Sequence, residues 1–125
     1  MDEKMINALK QWLEAIMPAV VETLANILPE DALREMGNEE GVHGPVSVDL
    51  EEFGAPITAI DFYVVVVEDT LLLATAAKIK DCDEKPKLAF DMFFTIADFA
   101  TTIADDKHVS QLVDTILEQY KSACG

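Results

Sequence analysis

Apolar positions recur with a helical step at both ends of the chain and crowd into strand-length runs in the middle. Between Glu3 and Leu28, the residues Met5, Ile6, Leu9, Trp12, Leu13, Ile16, Met17, Val20, Leu24, Ile27 and Leu28 fall three and four apart. That spacing predicts an amphipathic helix. Pro18 lies inside it and, lacking an N–H, is expected to kink or split it. Pro29 to Gly37 predicts a short second helix, with proline and acids in the first turn and glycine at the close. Asn38 to Pro45 reads as a loop by its turn residues. Val46, Val48 and Leu50 then alternate with Ser47, Asp49 and Glu51, the pattern of a strand with one wet face.

Ile57 to Ile79 is the most apolar stretch, two strand-length runs around Glu68-Asp69-Thr70, and it predicts a central β-hairpin. Setting Glu68 opposite Leu71 brings Asp61 opposite Lys78. One face then collects Ile60, Phe62, Val64, Val66, Leu73, Ala77 and Ile79, and the other Asp61, Tyr63, Val65, Val67, Leu72, Ala74, Ala76 and Lys78. Asp69-Thr70 is a poor two-residue turn, since neither residue takes positive φ easily. After a charged loop, a helix is expected from about Pro86 to Ala104, with Asp91, Thr95, Asp98 and Thr102 as a narrow polar stripe on an otherwise apolar cylinder. Asp105 and Asp106 cap a last helix striped by Val109, Leu112, Val113, Ile116, Leu117 and Tyr120. The expected fold is α+β, a single domain over residues 1–125. It comprises an N-terminal helix kinked at Pro18, a short helix, a three-stranded antiparallel sheet and two C-terminal helices packed on the sheet.

Charge changes the picture more than composition does. The chain of 125 residues has 24 acids against 9 bases, a formal charge of −15. That field repels phosphate backbones and anionic membranes and favours basic partners. No direct nucleic-acid or membrane binding is therefore expected. The acids are uneven: residues 30–52 hold eight with one arginine, net −7, and residues 81–106 hold seven with two lysines, net −5. The acidic start, with Glu14 and Glu22 breaking the first apolar run, fits neither a signal peptide nor a membrane span. Cys82 and Cys124 lie 42 positions apart, and two free thiols in a reducing compartment are expected. The reading is a cytoplasmic protein.

Candidate chemistry is sparse. His43 and His108 lie near no cysteine or paired acid at a ligand spacing. Asp81, Asp83 and Glu84 lack the later ligands and the glycine of a calcium loop. The glycines at 37, 41 and 44 form no phosphate cradle. Asp61 beside Tyr63 is an acid in an apolar strand, for which a structural pair with Lys78 is expected. No catalytic residue, metal or cofactor is assigned, and the chain is expected not to be an enzyme.

Two classes remain. The first is a small acidic binding protein that neutralises or escorts a basic protein partner, as immunity proteins, phage-type inhibitors and secretion chaperones do. Its contact residues are Glu39, Glu40, Asp49, Glu51, Glu52, Asp81, Asp83 and Glu84. The second is a small-molecule or lipid-binding domain, with an apolar pocket between the hairpin and the phenylalanine-rich helix. Asp61, Tyr63, Phe90, Phe94 and Phe99 would form that pocket or a homodimer face.

Overall fold

A computed structural model describes residues 3–82 and 86–124. The first helix, α1 (Glu3–Ile27), buries Leu9, Leu13, Met17, Val20, Val21 and Leu24 along one stripe. Pro18 lies inside it on the exposed side and does not split it. Buried Met17 before Pro18 and Val20 and Val21 after it anchor both halves to one core, which outweighs the single backbone hydrogen bond that proline removes. The short helix α2 (Glu30–Gly37) follows Pro29 and contributes Leu33 to the core.

Four strands come next: β1 (Gly41–Asp49), then, after a 3₁₀ turn at Glu51–Phe53, β2 (Ile57–Val67), β3 (Thr70–Ile79) and β4 (Ala89–Phe94). They form one antiparallel meander in the order β1-β2-β3-β4. The chain ends in α3 (Phe99–Ile103) and α4 (Asp106–Cys124). The architecture is α+β, with four strands rather than three. α4 packs on β3 and β4 and against α1, while α3 lies against α1 and α4. One core joins Leu13, Met17 and Leu24 of α1, Ile60, Phe62 and Val64 of β2, Leu73 of β3, and Leu112 and Ile116 of α4.

Three local expectations are corrected. The segment expected as one helix from Pro86 is divided into β4, a turn and the short α3. Its polar stripe is divided, with Asp91 in β4, Thr95 in the turn and Asp98 at the α3 N-cap. The outer edge of β3 needs a ladder partner over Leu71–Thr75, and a run containing three phenylalanines suits a strand. The loop expected over residues 38–45 ends at Glu40, and its remainder is strand. β1 begins at Gly41 and passes an irregularity between His43 and Val46. Gly44 sits there at φ +127, and a Cβ on it would stand 2.9 Å from the Phe62 carbonyl oxygen. Only glycine accepts that backbone and that approach.

The hairpin turns at Glu68-Asp69, with Val67 paired to Thr70 and both turn residues at positive φ, 45° and 63°. A two-residue turn of that hand matches the twist of the strands. Asp61 therefore faces Ala76, not Lys78. The displacement from the expected register is two residues, so every side chain keeps its face.

The thiol expectation is also overturned. Cys82, just after β3, is disulfide-bonded, and no described cysteine is free. Cys124 is the chain's other cysteine. Sequence distance misled here, because α4 returns beside β3, and Tyr120 shares a small cleft with Cys82. A disulfide suits an oxidising compartment, so the thiol argument for the cytoplasm no longer holds. Among the described residues no helix is long and apolar enough to cross a membrane.

Candidate functional site: the outer face of the sheet

All four helices contribute to one side of the sheet, through the even-numbered residues of β2 and the odd-numbered residues of β3. Side chains alternate along a strand, so the remaining residues form a second face, on which no helix of the described residues packs. Its cross-strand rows follow from the register. Val42, Val65, Leu72 and Phe93 make one row that crosses all four strands. Tyr63, Ala74 and Phe90 make the next. Ser47, Asp61 and Ala76, then Asp49, Ala59 and Lys78, follow towards the far end. The face is thus apolar near the β2–β3 turn and polar away from it.

The apolar half stands in solvent. Phe93 is 69% exposed, Phe90 63%, Val42 59% and Val67 52%. Between them Val65 and Ala74 are buried, so large side chains rise around a low floor. A bulge in β4 creates this arrangement. The β3–β4 register shifts between Leu73 and Ala74, which pair with Met92 and Phe90. Asp91 is the extra residue, and it turns inward, where it accepts a hydrogen bond from the Thr75 hydroxyl. Phe90 and Phe93, three apart, consequently share the outer face. Phe94 instead points into the core and packs on Phe99, ring centroids 4.7 Å apart.

At the polar half, a cleft of about 490 Å³ opens between Asp61, Tyr63, Ala76 and Lys78 on the sheet and Cys82, Pro86 and Leu88 of the following loop. Asp61 is buried and accepts a hydrogen bond from Ser47. The expected ion pair with Lys78 is absent because of the two-residue register change. Of the five residues assigned to a pocket or dimer face, Asp61, Tyr63 and Phe90 share this face. Phe94 and Phe99 belong to the core, and the expected wall, a phenylalanine-rich helix, is the edge strand β4.

The acids expected to meet a partner occupy the two ends of the sheet. Glu39 and Glu40 precede β1, and Glu40 Oε1 accepts the Glu68 N–H at 3.2 Å, placing these acids beside Glu68 and Asp69 at the turn. Asp49, Glu51 and Glu52 lie at the other end of β1, where Asp49 Oδ1 accepts the Glu51 N–H at 2.9 Å. Asp81 follows β3 at that same end. Eight strand steps of about 3.4 Å separate the groups by roughly 27 Å. All six are exposed, and among the described residues none forms an ion pair. Asp83 and Glu84 lie outside the described residues.

Asp91 and His108 lie on the packed side of the sheet. Burial pushes the Asp91 carboxyl above its ordinary value, while the Thr75 hydrogen bond and nearby His108 pull it back in part. His108, in the first turn of α4, is buried and donates from Nδ1 to the Ile103 carbonyl at 2.9 Å. Neither faces a cleft described here. His43, expected in a loop, is in β1 with Nε2 donating to the Glu39 carbonyl at 2.7 Å. Among the described residues no three His, Cys, Asp or Glu side chains gather in a way that could hold a metal.

Neither a family model, nor a curated protein, nor a solved structure matches this chain. Sequence reading missed the exposed aromatic pair on the outer face because Phe90 and Phe93 share it only through the bulge. The visible signal was the two-sided apolar pattern of β2, which already implied that something covers both faces.

Proposed function

We propose that this chain is a binding protein for a basic protein partner. The observation that supports this reading is an apolar sheet face open to solvent, flanked at both ends by acids without ion pairs. Interfaces combine an apolar centre with a polar rim, and complementary potential speeds encounter and fixes register. An inhibitor, an immunity protein and an escort all share this physics, and the partner's identity separates them. The test is stepwise salt elution of a tagged chain loaded with source-cell lysate, with each fraction read by mass spectrometry. One basic protein, released early by salt because screening weakens exposed charge pairs, is the expected result. Its affinity should fall at least tenfold when Glu39, Glu40, Glu51 and Glu52 are together changed to lysine. An unchanged affinity would remove the proposal.

The cleft beside Asp61 and Tyr63 favours a second reading, a small-molecule or lipid site. Such sites are largely apolar with a few polar groups. Native mass spectrometry of the purified chain tests it, since this reading requires a bound small molecule that Tyr63→Ala releases.

A further inference from the structure

Resting on the binding-protein reading, we infer that the partner docks through one short segment, carrying large apolar side chains next to Lys or Arg, seated on the apolar half of the outer sheet face. Size is the first argument. The exposed patch spans three strand spacings of about 4.8 Å one way and four residue steps of about 3.3 Å the other, roughly 14 by 13 Å. A full aromatic side chain offers about 200 Å², so Phe90 and Phe93 at 63% and 69% exposure present roughly 260 Å² together. A stable dimer covers about 800 Å² on each partner. This patch is far short of that, and it fits the two to four anchors of a peptide segment.

Shape and charge point the same way. Ala74 between the strands is already covered, so the exposed rings of Phe90 and Phe93 are what a docked segment meets. Just beyond Val67 lie Glu40, Glu68 and Asp69, joined by the hydrogen bond from the Glu68 N–H to Glu40. A second copy meeting this patch would add three more carboxylates to the contact, on two chains that each carry −15. A segment with cations beside its apolar residues meets the same acids favourably. Polar rows at Ser47–Asp61 and Asp49–Lys78 end the apolar floor on the other side, so the cations of the segment belong at the turn end.

The test is selection of binders from a random twelve-residue peptide library, followed by affinity measurement with labelled synthetic copies. Expected winners pair two or more large apolar residues with adjacent Lys or Arg. They should lose at least tenfold in affinity to Phe93→Ser and to Glu40→Lys, and nothing to Glu14→Lys on the exposed side of α1. Unchanged thermal melting of Phe93→Ser, whose ring is 69% exposed, keeps folding out of the comparison. Basic peptides that bind without apolar residues and ignore Phe93→Ser would overturn this inference while leaving the basic-partner reading intact. Selection of acidic peptides, or of none, would overturn both. Self-association that Phe93→Ser abolishes would assign the face to a second copy and sink the inference.

Discussion

Replacing Gln119 by leucine should destabilise the fold by several kcal/mol. Gln119 is buried on α4, where its Oε1 accepts the Ala77 N–H at 2.8 Å and its Nε2 donates to the Thr75 carbonyl at 2.9 Å and the Lys87 carbonyl at 3.2 Å. The need for it is topological. β4 pairs with β3 only as far as Thr75 and Ala89, and beyond that point the β3 edge faces α4 with no strand beside it. One glutamine side chain replaces the missing ladder, and it also ties the start of the β4 segment to the helix layer. Leucine leaves the Ala77 N–H and the Thr75 carbonyl buried without partners. Each such group costs about 1–3 kcal/mol, a combined loss of about 2–6 kcal/mol for the two, with Lys87 left to find water. With a urea slope of about 2 kcal/mol/M for a small protein, the unfolding midpoint should fall by about 1–3 M. Trp12, the single tryptophan, is half-buried and reports the transition by fluorescence. Glu118→Leu, exposed one residue earlier, is the control and should barely move the midpoint. If Gln119→Leu unfolds with the control, the glutamine does not stand in for a strand, and the account of how β3 ends is wrong.

Asp91→Asn should stabilise the protein at pH 7 and have little effect at pH 3.5. The carboxyl's folded value is raised above 3.8 by burial; a raised carboxylate lowers stability once pH climbs through that folded value, and the penalty is absent below the unfolded value. Urea midpoints at the two pH values decide it, and equal shifts at both would refute the burial argument. Reducing the Cys82 disulfide with a dithiol should lower stability by about 2–4 kcal/mol, seen as a fall in Tm with and without reductant. An unchanged Tm would show that the link constrains nothing that folding must order.

The sequence made the sheet's faces legible but not its register. Parity sorts Ile60, Phe62, Val64 and Val66 from Asp61, Tyr63 and Val65, and parity survives a two-residue slip. Which residues turn the corner depends on Glu68 and Asp69 adopting positive φ, a choice settled by strand twist rather than by residue type. β4 was illegible for a related reason. Its bulge at Asp91 breaks the two-residue alternation, and without alternation the run from Leu88 to Phe94 looks like the side of a buried helix. The same bulge divides the candidate residues: it sets Phe90 and Phe93 on the outer face and leaves Phe94 in the core. The ring contact between Phe94 and Phe99 crosses a turn that no spacing rule marks. That Cys82 is disulfide-bonded is likewise not encoded in the local pattern around it.

The placement of every helix on one side of the sheet gives the chain two nearly independent sets of letters. Substitutions at Val42, Val67, Phe90 and Phe93 alter the outer face and leave the packed layer alone. Substitutions at Phe62, Leu73 or Ile116 do the reverse. A lineage carrying this fold can therefore rewrite its outer face while its stability stays under separate selection. Interleaved in the same strands, one set is free to drift and the other is held fixed.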